Sequence, residues 1–195
     1  MNDSRLYKAL KDFKGAQGNE ENLAAAFKQI AETAFYSGYF LVNGGSSDEY
    51  RIELTCIEFY YHEDEGNIKD IKKYLKGEKE FGYPIGAICP NPSGIDILFD
   101  DPEKKYHASF LIRGYVAIEK DGTTYENNQK SRTWNTQDIW YDMFGGANML
   151  QNGRFNIEWV DSTIDFSEFA TSYIMERVNL KDGRLWAYTK NELPC

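Results

Sequence analysis

Two amphipathic helical patterns open the chain, and the runs of strand period that follow do not alternate with helices, which excludes a doubly wound parallel sheet and leaves an α+β fold. Leu6, Leu10 and Phe13 recur at helical spacing, Gly15 and Gly18 interrupt them, and Asn19 is placed to cap a second helix from Glu20 to about Phe35. In that helix Leu23, Phe27, Ile30, Ala31 and Ala34 form an apolar stripe, while Glu20, Glu21, Lys28 and Glu32 face water. Helices are therefore expected within residues 3–36, and Gly38 ends the second. A chain of 195 residues, 42% of them hydrophobic, suits one domain spanning 1–195 with a substantial core.

The strand signals come in hairpin order. Tyr39–Val42 is a short strand, Asn43–Ser47 a turn, and Tyr50–Tyr60 its partner, in which the two-residue period puts Ile52, Leu54 and Cys56 on one face. Further strands are expected at Gly94–Phe99, Tyr106–Ile118, Phe155–Val160, Ser172–Asn179 and Arg184–Tyr188, with Lys181-Asp182-Gly183 as a tight turn. Lys76–Ser93 and Asp121–Asn135 read as loops, and short helices are expected at Asn67–Leu75 and from Thr136 to Phe144. The sheet is expected to be mixed but mostly antiparallel, with flanking helices.

Charge and cysteine usage remove several functions. The net charge is -9; between Asn19 and Glu65 only Lys28 and Arg51 face ten carboxylates, which leaves the rest of the chain near neutral. A surface gripping duplex phosphates along its length would carry the opposite sign. Lys69, Lys72, Lys73 and Lys76 make the best basic stripe, equally readable as a solvated helix face. Cys56, Cys89 and Cys195 form no paired motif and read as buried or incidental thiols; a thiol hydrolase using Cys89 or Cys56 with His107 has no motif behind it. With His62 and His107 the only histidines, no metal site is expected, and His62-Glu63-Asp64-Glu65 reads as a solvated acidic turn. No apolar run approaches the ~20 residues that span a bilayer, so no membrane partner is expected. The opening Met1-Asn2-Asp3-Ser4-Arg5 lacks the layout of a secretory signal, which gives the expectation of a cytoplasmic protein.

One residue stands out chemically. By strand alternation Glu58 falls on the same apolar face as Ile52 and Leu54, where a carboxylate costs free energy unless it is paired or used. Three readings stay open: catalysis, a buried structural salt bridge, or a bulge near Cys56-Ile57 that turns Glu58 the other way. Arg113, inside Leu111-Ile112-Arg113-Gly114-Tyr115, poses the same question, and each could partner the other.

Ile57-Glu58-Phe59-Tyr60 followed by an acidic turn, Gly94-Ile95-Asp96-Ile97, Phe110-Leu111-Ile112-Arg113-Gly114, Gly146-Ala147-Asn148-Met149-Leu150, and Arg177-Val178-Asn179-Leu180 ahead of Leu185-Trp186-Ala187-Tyr188 resemble, in that order, the core of the 3-methyladenine (alkyladenine) DNA glycosylase family. The resemblance implies a curved mixed sheet and hydrolysis of the N-glycosidic bond of a damaged base, without metal or cofactor. It makes Glu58 the base that activates water and Arg113 its catalytic partner. It places Tyr60, Tyr61 and Asp96 at the substrate, Tyr60 stacking on an extruded base. The implied partner is DNA or a ligand carrying a nucleobase; oligomeric state is left open. The alternative is a non-catalytic ligand- or protein-binding domain on the same scaffold, with Glu58 and Arg113 a structural pair.

Overall fold

The computed structural model describes residues 3–16, 19–70, 83–91, 94–128, 139, 142–143, 156–166, 170–177, 180 and 182–192. Helix α1 covers Arg5–Asp12 and α2 covers Glu20–Tyr36. Both begin at side-chain caps that satisfy otherwise orphaned backbone donors: Ser4 Oγ accepts from Tyr7 N at 3.1 Å and Asn19 Oδ1 from Glu21 N at 2.8 Å. The stripe Leu23, Phe27, Ile30, Ala31 and Ala34 is buried, as its spacing requires.

The strands are β1 (Gly38–Val42), β2 (Tyr50–Glu63), β3 (Ile88–Asn91), β4 (Gly94–Leu98), β5 (Tyr106–Glu119), β6 (Thr124–Asn128), β7 (Ile157–Asp161), β8 (Tyr173–Met175) and β9 (Ala187–Thr189). They form one curled antiparallel sheet, a half-barrel, in the order β3-β4-β5-β2-β1-β7, with β6 on β5 and the β8–β9 hairpin on β2. The protein is thus an α+β fold. At Gly38 the β1–β7 approach is so close that a Cβ would lie 2.1 Å from Val160 O, which accounts for glycine at the helix-to-strand joint. No described helix is long and apolar enough to cross a membrane.

Several local expectations change. The loop expected over Lys76–Ser93 contains β3, which pairs β4, and the turn-rich stretch after Asp121 contains β6, which pairs β5; in both, pairing with a long neighbour overrides weak local propensity. Of the helix expected over Asn67–Leu75, the described part, Asn67–Asp70, is not helical; residues 71–82 lie outside the described set, as does most of the Thr136–Phe144 helix. Within the described part of the expected strand Ser172–Asn179 the strand covers Tyr173–Met175, and the one expected at Arg184–Tyr188 begins at Ala187.

The bulge near Cys56-Ile57, one of the three open readings of Glu58, is present, and it changes the alternation in the two longest strands. Leu54 pairs Tyr115, Cys56 pairs Gly114, and Ile57 pairs Ile112, so Thr55 is an extra residue on β2 and Arg113 an extra residue on β5. Each insertion shifts the two-residue phase, and together they restore the register. The core face accordingly takes Ile52 and Leu54 and then Ile57, Phe59 and Tyr61 from β2, and Ala108, Phe110 and Ile112 and then Tyr115 and Ala117 from β5. Cys56, Glu58 and Tyr60 are turned to the other face. Gly114 tolerates the crossover because it has no side chain: a Cβ there would meet Thr55 Oγ1 at 2.9 Å and Cys56 Cβ at 3.1 Å.

The helices cover the core face through aromatic contacts. Phe27 of α2 stacks on Phe59 with ring centroids 4.2 Å apart, and Phe99, Phe110 and Tyr188 meet Phe59 edge-on. Truncation of this hub by Phe59→Ala is expected to lower the unfolding free energy by about 3–5 kcal/mol, measured by urea denaturation. A loss below about 1 kcal/mol would show that the ring is not a packing centre.

Candidate functional site

Three side chains from β2 and β5 converge on the face opposite the helices. Arg113 Nε donates to Glu58 Oε2 at 2.9 Å, Tyr60 Oη donates to Glu58 Oε1 at 2.6 Å, and Arg113 Nη2 lies 3.4 Å from Tyr60 Oη. Glu58 is 0% exposed, Arg113 5% and Tyr60 6%. These two bonds reach Glu58 one on each carboxylate oxygen, and so fix the plane of the group. Burial, followed by the negative charge of Glu58, holds the Tyr60 phenol well above the usual tyrosine range, only partly offset by Arg113. Tyr60 therefore stays a neutral donor to the carboxylate.

The bulge explains how charge can occupy a strand interior. Arg113 is the residue that β5 leaves without a register partner, and the crossover at Gly114 brings it toward Glu58 instead of the aromatic core. Asp96 lies on the same face one strand further out: it pairs Leu111, which itself pairs Glu58, and its charge is felt at Tyr60. Ser109 Oγ donates to Asp96 Oδ1 at 3.2 Å, and both residues are buried.

Of the residues singled out in the sequence, Glu58, Arg113, Tyr60 and Asp96 thus share one face. Tyr61 does not. It points into the core, packs against Phe13 and Phe27, donates its hydroxyl to Glu63 Oε1 at 2.9 Å and accepts from Ala16 N at 3.0 Å. Adjacent strand residues face opposite ways, so Tyr60 and Tyr61 cannot both meet a ligand on one face. The Gly146–Leu150 segment lies outside the described residues. Two clefts lined by described residues open away from this cluster, one around Glu65, Asn67, Glu103 and Lys105 and one around Leu41, Arg51, Ile118 and Lys120.

Two groups escaped the sequence reading. Arg177, with a fully buried side chain, pairs Asp70 at 2.5 Å and also binds Asp182; its guanidinium carbon is 5.0 Å from the Tyr60 ring centroid and 5.1 Å from that of Trp186. Nothing local marks Asp70 or Asp182 as partners of a buried guanidinium, since Asp70 falls in a stretch expected to be helical and Asp182 in an expected turn. Likewise His62 and His107, paired across β2 and β5, both approach Asp64 Oδ1, with Nε2 at 4.0 Å and 3.7 Å, while His107 Nδ1 is 3.1 Å from Asp100 Oδ2. The acidic turn is therefore only partly solvated. No group of three metal-ligating side chains suited to a metal ion occurs among the described residues.

Cys56, beside the crossover, is disulfide-bonded; Cys89 is a half-buried thiol, and Cys195 lies outside the described set. This corrects the reading of Cys56 as an incidental thiol. Comparison with known proteins found no matching family model, curated protein or solved structure.

Burial, then the Lys69 ammonium, lowers the pKa of His62 below the ordinary histidine value, with His107 acting the same way and Asp64 and Asp70 opposing. The unfolded chain then binds a proton near pH ~6.5 that the native state refuses, so the contribution of His62 to stability is complete above that pH and is lost on acidification. Urea unfolding should show stability falling between about pH 7 and about pH 5, and less steeply in His62→Gln. Identical slopes would remove His62 from that dependence.

Proposed function

We propose that the face carrying Glu58, Tyr60, Arg113 and Asp96 receives a ligand bearing a nucleobase, and that Glu58 is the base in hydrolysis of its N-glycosidic bond. The observation that carries the reading is the Glu58–Arg113–Tyr60 cluster, a carboxylate held in one orientation by two donors on the face that the helices leave alone. In this reaction a water oxygen bonds to the sugar carbon, the carbon–nitrogen bond breaks with its electron pair leaving on the base, and the water proton passes to Glu58. The negative carboxylate also stabilises the oxocarbenium-like centre, while Arg113 holds carboxylate and water in line. Tyr60 supplies a ring for stacking and Asp96 an acceptor for a donor on the base edge. Since ten carboxylates crowd residues 19–65, contact confined to the base and its sugar fits the chain better than a grip along a duplex. Glu58 is fully buried, so catalysis requires the site to open.

A second reading is favoured by that burial, by the engagement of both Glu58 oxygens, and by the disulfide at Cys56. Here the pair is structural, on a non-catalytic binding domain. Base release from oligonucleotides carrying an alkylated or deaminated base decides between them. Hydrolysis predicts release by the native protein and at least about a 100-fold loss in Glu58→Gln; equal release by both would remove Glu58 from the mechanism. The structural reading predicts no release by either protein, with Arg113→Met losing about 3–5 kcal/mol of stability because the buried carboxylate has lost its cation.

A further inference from the structure

We propose that Arg177 is the positioning residue of this site: anchored by Asp70 and Asp182, its guanidinium presses on the Tyr60 ring and thereby fixes the hydroxyl that orients Glu58. The inference rests on reading Glu58 and Tyr60 as the working end of the face.

Arg177 joins segments that are distant in sequence. Nη1 donates to Asp70 Oδ2 at 2.5 Å and to Phe59 O at 3.3 Å; Nη2 donates to Asp70 Oδ1 at 3.3 Å and to Asp182 Oδ2. Asp70 thus receives both arms of the fork, an arrangement that fixes the guanidinium plane as well as its location. Phe59 is the residue between Glu58 and Tyr60, so the bond to its carbonyl ties Arg177 to the stretch of β2 that carries the cluster. The flat cation lies between the rings of Tyr60 and Trp186. Arg184 sits over Trp186 at 4.5 Å and donates to Lys69 O at 2.9 Å. Two carboxylates more than offset the burial cost of the guanidinium, and Arg177 stays charged with its pKa above the ordinary arginine value.

The ring contact with Tyr60 carries this anchoring inward to the cluster. Tyr60 has one hydroxyl to place, and its 2.6 Å bond to Glu58 depends on the direction of the ring. A ring free to swing would take from a fully buried carboxylate the hydroxyl that bonds its Oε1. Arg177 thus acts on Glu58 through Tyr60, with no bond of its own to the carboxylate among the described contacts.

Nitration by tetranitromethane, followed by peptide mass spectrometry, reads this without any substrate, so its failure is distinguishable from failure of the hydrolytic reading. In the native protein Tyr60 should resist nitration. Arg177→Met should raise its rate by about tenfold, the scale of a lost cation–π contact, with Tyr61 and Tyr188 on the core face unchanged. Arg177→Lys, which keeps the charge but not the fork, should restore part of the protection. Asp182→Ala, which removes only the outer anchor, should give a smaller rise in Tyr60 alone and serves if Arg177→Met does not fold. The proposal is overturned if Tyr60 stays protected in a folded Arg177 or Asp182 variant, or if Tyr61 and Tyr188 react in step with it.

Discussion

At Thr55 and Arg113 the two longest strands each carry one residue more than the ladder between them can pair. A single bulge would slip the register and present the wrong face of everything downstream; two, on opposite strands and one rung apart, cancel. What remains is a local change of phase. Before it, β2 gives Ile52 and Leu54 to the helices; after it, Ile57, Phe59 and Tyr61 take that face and Glu58 and Tyr60 take the other. The separation of an aromatic core from a charged cluster follows from that crossover.

The two faces are stabilised by different physics. Under the helices, Phe13, Phe27, Phe59, Phe99, Tyr61 and Tyr106 form a connected set of stacked and edge-on rings whose worth comes from buried apolar area. On the opposite face, beside Cys56 and Leu111, the buried polar side chains include Glu58, Asp96, Ser109, Arg113 and Tyr60, and each of these makes a hydrogen bond, because a buried polar group left alone costs more than a made bond returns. Replacing such a cluster with apolar side chains of similar volume is often neutral or stabilising. Its presence beside an aromatic core that could have been extended is the physical reason to look for function there.

Arg177 ties that face to the last segment of the chain. Through Asp70, Asp182 and the carbonyl of Phe59, the connection after β2 and the turn before β9 are fixed to the same guanidinium. Position on the Tyr60 ring is therefore set by parts of the chain more than 100 residues apart, with separations of 107 and 118 residues for the bonds to Asp70 and Phe59. No local pattern marks that convergence.

The sequence by itself determined the features that depend on near neighbours: the cap at Asn19, the buried stripe of α2, the β1–β2 hairpin, and the presence of a carboxylate and a guanidinium where apolar residues belong. It also contained the pairing of Glu58 with Arg113 as one of its open readings. Tertiary structure decided which face they occupy. Alternation puts Glu58 with Leu54, and only the ladder against β5, with its extra residue on each side, reverses that. The same limit explains β3 and β6, strands formed because a long neighbour offers hydrogen bonds, and Tyr61, whose place in the core follows from the phase set at Thr55. Periodicity is a local property, whereas phase depends on a partner strand some 55 residues away, the separation of Glu58 and Arg113, and no window along the chain contains it.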